Sequence, residues 1–286
     1  MKVRLSGQQR KELAAALVAD IDAYCVSTYT QDHRNHLGAS VIGEKCNRKL
    51  WYAFRWMHRE QFSSAKLRLF NRGHREEERL IEWLRGIGAE VWSHTPEGQQ
   101  MRITASGGHF GGSLDGALRL PTRYGLDTPF LAEFKTHNQK QFDSLIKNGV
   151  RVSHPKHFDQ MSTYGAVYDL DYAVYFAICK NTDDIHIEVV EIDKALGQRN
   201  LAKANDIILS QTAPGRIAAS VAYKDCSWCS MKGICHLGEP VEKNCRSCQH
   251  AVPVDGAKWA CKKFDLTLVQ SRIETGCIDW QEIEHR

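Results

Sequence analysis

The chain has 286 residues, a mass of 32.5 kDa and 42% hydrophobic residues, enough to bury a full core and to hold one large domain with a small appendage. A net charge of +4 and a pI near 8.5 are compatible with nucleic acid without pointing to it. No long unbroken apolar run is present and the first residues are charged and helix-patterned, so no membrane span or secretory leader is expected; the chain reads as soluble and cytoplasmic.

Apolar residues at helical spacing predict amphipathic helices over 6–30, 40–57 and 63–86, the last ending at glycines. A strand-rich block follows over 89–136. Helices over 138–149 and 154–169, strands over 171–179 and 184–192, and a helix over 194–212 complete the body. This order predicts an α/β fold with a mixed central sheet flanked by helices, occupying residues 1–240. From Tyr223 the sequence turns cysteine-rich and loop-like. A boundary near Val241 sets off residues 241–286 as a small cysteine-rich, metal-bound C-terminal module.

Within the strand block, "FLAEFKT" (130–136) places Glu133 and Lys135 on one face and Ala132 and Phe134 on the other, because strand side chains alternate. An ordinary reading is a partly exposed ion pair on an antiparallel sheet. Upstream, "GGHFGGSLDGALRL" (107–120) is a glycine-rich strand with a bulge or close backbone approach, and it carries Asp115. A hairpin across the turn-like residues 121–129 would bring Asp115 to Glu133. Two converging carboxylates raise each other's pKa unless a cation neutralises them. Mg or Mn prefers such oxygens, and the Lys135 ammonium beside it could orient a water or stabilise developing charge, as phosphodiester hydrolysis requires.

Asp115 followed by Glu133-x-Lys135 resembles the core of the PD-(D/E)XK nucleases, with Gly112 to Gly116 in place of the usual Pro-Asp start. Two further pairs fall in the order found in the RecB-like branch. Gly73 and Glu77 lie four apart on the helix before the sheet, while Glu76 and Glu78 read as a solvated charge run; Gln160 and Tyr164 lie four apart on the helix after the Glu-x-Lys strand. The resemblance implies a restriction-endonuclease-like fold with Mg or Mn held by Glu77, Asp115 and Glu133 and the Phe134 carbonyl. It makes Lys135 the group that positions the attacking water, and Gln160 and Tyr164 the residues that steer the DNA strand.

Ten cysteines in a chain without an export signal suggest metal or iron-sulfur ligation. Cys226, Cys229 and Cys235 form C-x2-C-x5-C, one ligand short, and Cys46 is the candidate fourth. Ligand chemistry alone permits zinc or iron-sulfur. One cysteine before the core and three after it resembles the AddB nuclease domain and the CRISPR-associated RecB-like exonucleases, over about residues 38–238. That resemblance implies a 4Fe-4S cluster stapling the ends of the domain. Cys245, Cys248, Cys261 and Cys277 form a second group with spacing suited to a zinc-ribbon-like site, around which Trp259 and Phe264 would pack. This appendage departs from those families.

Cys25 and Cys179 lie in apolar stretches and read as core. The aromatic run "WYAFRWMHR" (51–59) is core by its helical spacing, with base stacking as the other reading, and the thirteen histidines show no zinc-site spacing. The expectation is a stand-alone, phage-type DNA exonuclease of recombination or repair, with DNA ends or single strands as partner and room for a recombination protein. The rival is a non-catalytic DNA-binding or assembly module of the same fold. Oligomeric state is not encoded in these residues.

Overall fold

The computed structural model describes residues 4–29 and 32–285. Helix α1 (Gly7–Thr28) starts in a reciprocal cap: Ser6 accepts the Gln9 amide while the Gln9 side chain accepts the Ser6 amide. Its predicted core-facing stripe does not form, since Cys25 is its one buried residue and the helix rests mainly on α3 (Ser64–Gly86), where Arg68 pairs with Asp22. The short strand β1 (Leu37–Gly38) and a 3-10 turn precede α2 (Asn47–Phe54), which is shorter than the predicted 40–57. Gly43 packs closely on Asp159, from whose side chain a Cβ there would lie 2.9 Å, and α2 starts only after its N-cap residue, Cys46.

Strands β2 (Glu90–Trp92), β3 (Arg102–Ala105), β4 (Phe110–Ser113), β5 (Gly116–Arg119) and β6 (Pro129–His137) make up the strand block. Helices α4 (Gln139–Ser153) and α5 (Pro155–Tyr168) then cross over to β7 (Tyr172–Cys179), followed by β8 (Ile185–Glu191) and α6 (Lys194–Leu209). The main sheet has the order β2-β5-β6-β7-β8, with β6 and β7 parallel and the other pairs antiparallel. The α4–α5 crossover permits that parallel pair, because a tight turn can join only antiparallel strands. A second small sheet has the order β1-β4-β3.

Alternation along β6 divides two cores. Phe130, Ala132 and Phe134 pack against Leu80 and Leu84 of α3, whereas Leu131 faces the larger cluster with Leu145, Met161 and Tyr164. Glu133 and Lys135 therefore point into the side roofed by α5. Among the described residues no helix is long and apolar enough to cross a membrane.

The C-terminal segment holds α7 (Lys224–Ser227), α8 (Lys232–His236), the antiparallel sheet β9 (Ala251–Val254), β10 (Lys258–Cys261) and β11 (Leu266–Leu268), and α9 (Gln270–Thr275). Its core is continuous with that of the body: Trp259, Leu268, Ile273 and Ile283 share a cluster with Trp51 and Phe54. Trp259 is 1% exposed and turned to the body, while Phe264 is 49% exposed at the cysteine cavity, so only one of these two aromatic residues packs as expected. In the run 51–59, Trp51, Tyr52, Phe54 and Trp56 are all buried, which removes base stacking as a role for them.

Candidate active site

The hairpin between β5 and β6 pairs Gly116 with Ala132, so Asp115 arrives beside Glu133 and Phe134. Asp115 Oδ2 accepts the Phe134 amide at 2.8 Å and the Lys135 ammonium at 3.2 Å. Lys135 Nζ also donates to the Phe134 carbonyl at 3.0 Å and lies 2.5 Å from Glu133 Oε1. That last contact lacks hydrogen-bond geometry, and Glu133 Oε1 has no hydrogen-bond donor despite being fully buried. It is an ion-pair contact that leaves oxygen lone pairs uncommitted.

Burial, then Asp115 and Glu77, push the Glu133 carboxyl up to about 8, against the opposing pull of Lys135. Burial and Asp115 likewise raise Glu77 on α3 above the usual carboxylate range. Burial disfavours the Lys135 ammonium, but Asp115 and Glu133 outweigh it and hold the lysine charged far above its ordinary value. Three carboxylates against one ammonium leave the cluster two negative charges in excess once all are ionised. The Glu133 Oε1 atom without a hydrogen-bond donor and an excess charge of that sign fit a hard divalent cation. Among the described residues no three His, Cys, Asp or Glu side chains stand ready to ligate one ion, so a cation would draw the carboxylates inward.

Gln160 and Tyr164 are 5% and 1% exposed, too deep to lie along a bound strand. Gln160 Nε2 reaches Glu133 Oε2 at 3.3 Å, and Tyr164 Oη donates to the Ser113 carbonyl at 2.8 Å, so the pair braces Glu133 and the strand leading to Asp115. Gly112 makes this possible, because a Cβ there would collide with the Tyr164 hydroxyl and meet Ala39 at 3.0 Å. Glu76, expected to be solvated, is 8% exposed and ion-paired with Arg79 and Arg72, since α3 turns that side toward the sheet.

Glu77, Phe134 and Lys135 open into a groove of about 1000 Å³ whose walls mix basic side chains, Arg34, Arg59 and Lys180, with acidic ones, Asp32, Glu60 and Glu76. Gly73 borders it, and a Cβ there would meet nothing within 4 Å, so open space rather than packing surrounds this glycine.

Sequence reasoning passed over Tyr175, which the parallel register sets opposite Glu133. Its hydroxyl lies 2.9 Å from His137 Nε2 and 2.7 Å from His157 Nδ1. The rings of His137, His154 and His157 lie against one another, with centroids 4.3 to 6.0 Å apart. Burial, followed by Lys135 and the neighbouring histidines, drives His157 down to about 2; burial and His154 drive His137 to about 4. These imidazoles are neutral at physiological pH and form an uncharged wall beside Lys135. His157 falls three residues before Gln160 on one helix face, a signal available in the sequence.

Cys46, Cys226, Cys229 and Cys235 line one cavity of about 320 Å³. Burial first, then the other thiols of the group, raise Cys226, and Lys49 lies near Cys229. Cys245, Cys248, Cys261 and Cys277 line another of about 330 Å³. The donor sets fit thiophilic metals, although neither quartet is already closed around a point. Cys25 and Cys179 are buried outside both groups.

Comparison with protein families and with curated proteins finds no match. Among solved structures the chain is similar to SSO0001, at 14% identity and a TM-score of 0.46, covering 79% of this chain and 98% of that one. It is also similar to an alkaline exonuclease (LHK-Exo) from Laribacter hongkongensis, at 17% identity and a TM-score of 0.44, covering 66% of this chain and 90% of that one. The complex of that exonuclease with dAMP gives 15% identity and a TM-score of 0.41 over the same shares. These are weak likenesses of overall shape, and the functional reading rests on the geometry of the carboxylate cluster.

Proposed function

We propose that the chain is a metal-dependent deoxyribonuclease of the PD-(D/E)XK type that acts as an exonuclease on DNA ends. The observation that carries this reading is the convergence of Asp115 and Glu133 on Lys135 at the foot of a groove that Glu77 also lines. A bound Mg or Mn would supply Lewis acidity and lower the pKa of a water at neutral pH. Asp115, Glu133 and Glu77 would hold it. The Lys135 ammonium, fixed between two carboxylates, is placed to orient the attacking water and to stabilise negative charge on the phosphate. Gln160 and Tyr164 act by orienting Glu133 and the Ser113–Asp115 segment, and Arg34 and Lys180 on the groove wall bind the phosphodiester backbone. On this reading the enzyme would serve recombination or repair of DNA ends, in the phage-type setting expected from the sequence.

The same reading gives Cys46, Cys226, Cys229 and Cys235 a 4Fe-4S cluster as a staple, supported by the four thiols sharing one cavity. Cys46→Ala should then bleach the visible absorption of anaerobically purified protein and lower its melting temperature. Unchanged iron content in that variant would refute the staple. For the activity, end-labelled linear DNA and closed circular DNA are incubated with and without Mg or Mn. Metal-dependent loss of the linear DNA with the circle spared is expected, and full cleavage by Glu133→Gln protein would overturn the assignment.

A further inference from the structure

The body of the protein leaves helix α1 bare. The helix spans 22 residues, about 33 Å in length, and Cys25 alone of them is buried. Leu13, Leu17, Ile21 and Tyr24 are 50%, 54%, 55% and 63% exposed. Steps of four, four and three residues set these side chains on one face. Cys25 and Asp22, which meet α3, lie about 80° and about 140° around the helix from Leu17, so the packing on α3 does not cover the stripe. Most helical stability in a folded chain comes from covering an apolar face of this kind. The stripe therefore calls for an occupant.

Charge on the helix selects it. No acidic residue stands in the first turn of α1 and no basic residue in the last, so neither pole of its dipole is complemented from within. Arg10 begins the stripe and Asp20 flanks its later half, and among the described residues neither forms an ion pair. Glu12 lies about 140° around from Leu17, where it accepts the Gln8 amide. A helix running the opposite way would bring its acidic, C-terminal pole beside Arg10 and its own basic end beside Asp20. A second α1 is such a helix. With a two-fold axis at Leu17, Leu13 of one copy falls opposite Ile21 of the other, and Arg10 opposite Tyr24, one turn from Asp20. Nucleic acid and anionic lipid are poorer occupants, because the acidic residues Glu12, Asp20 and Asp22 outnumber Arg10 and Lys11 on this helix.

We propose that α1 is a homodimerisation surface, on which a second copy of this chain lays its own α1 antiparallel and covers the stripe of Leu13, Leu17, Ile21 and Tyr24. Such an interface is isologous and closes on itself, so it makes dimers rather than longer assemblies. Thr28, at the C-terminal end of α1, borders the groove that holds Glu77, so the pairing carries two grooves in one particle.

The test uses the full-length protein without DNA, so its outcome is independent of the nuclease reading. Sedimentation equilibrium over a range of concentrations should give twice the 32.5 kDa chain mass at ~100 μM. Leu17→Glu and Arg10→Glu should each weaken the dimer by about ten-fold or more, and Arg10→Glu combined with Asp20→Arg should restore it to within about three-fold of wild type. A parallel pair would set Arg10 against Arg10 and Asp20 against Asp20, and the second change would rescue nothing. A wild type that stays monomeric at that concentration, or a dimer that Leu17→Glu leaves within about two-fold of wild-type affinity, overturns the proposal. Failure of the double variant to recover what Arg10→Glu loses overturns the antiparallel arrangement. Circular dichroism checks that each variant is folded; should Leu17→Glu fail to fold, the Arg10→Glu and double variants decide.

Discussion

The carboxylate cluster under α5 and the arginine pair under Trp259 are mirror images in charge. At the first, Asp115, Glu133 and Glu77 outnumber Lys135; at the second, among the described residues, Arg55 and Arg246 pair with no carboxylate. A well-packed protein interior rarely leaves charge unmatched, because the low-dielectric surroundings make the deficit costly. A divalent cation would relieve the first imbalance, as the proposed function requires; at the second, backbone carbonyls and aromatic rings surround the guanidiniums. They differ in access. The acidic cluster opens on a groove of about 1000 Å³, as a reacting centre must, whereas the arginines are sealed, as a structural joint requires.

The sharpest way to break this comparison is to remove charge from the acidic side. Asp115→Asn or Glu133→Gln should lower cleavage by about 10³-fold or more while DNA binding persists, and Lys135→Ala by about 10²- to 10³-fold. Parallel binding and cleavage assays check this, and wild-type rates in any of the three would end the catalytic assignment.

On the joint side the largest effect belongs to packing. Trp259→Ala should cost about 3–5 kcal/mol, read from denaturant unfolding, because the ring fills the core shared by α2 and the C-terminal segment and covers both arginines. A loss under about 1 kcal/mol would show that the segment is a separable module.

Gly112→Ala should destabilise by about 1–3 kcal/mol, since the new methyl displaces the Tyr164 hydroxyl from the Ser113 carbonyl. Activity should fall with it through Asp115. Equal stability and activity would show that Tyr164 does not brace the site.

The finest probe is pH. Glu133 has an ordinary value of 4.5 and is pushed up to about 8. The folded chain therefore holds this proton more tightly than the unfolded chain does. Its contribution to stability is full below about 4.5 and is lost as pH rises through about 8. A cation competes with that proton, so Mg or Mn affinity should rise about ten-fold per pH unit up to about 8 and then level off. Calorimetric titration at several pH values measures this slope, and a flat profile would remove Glu133 from the metal site.

Local patterning carried much of the site. The alternation in "FLAEFKT" set Glu133 and Lys135 on one face, and the turn-like residues 121–129 marked a hairpin that the β5–β6 register forms. Helical spacing marked Gln160 and Tyr164 as neighbours on one side of α5. The depth of those residues was not legible, because burial depends on which helix roofs the sheet. Tyr175 escaped notice because its place opposite Glu133 comes from a parallel pairing of strands 42 residues apart.

What the sequence by itself determined is what periodicity and short spacing can encode: the elements, the faces of β6, and the cysteine spacings within each group. Those depend on chirality and on two fixed repeats, 2 for strands and 3.6 for helices. Only the tertiary structure decided that Glu76 is buried, that α1 keeps its apolar residues in solvent, and that Arg55 meets Arg246 across 191 residues. The reason is physical: side-chain direction follows from the local backbone, but the environment that gives a charge its partner is assembled from segments distant in the chain.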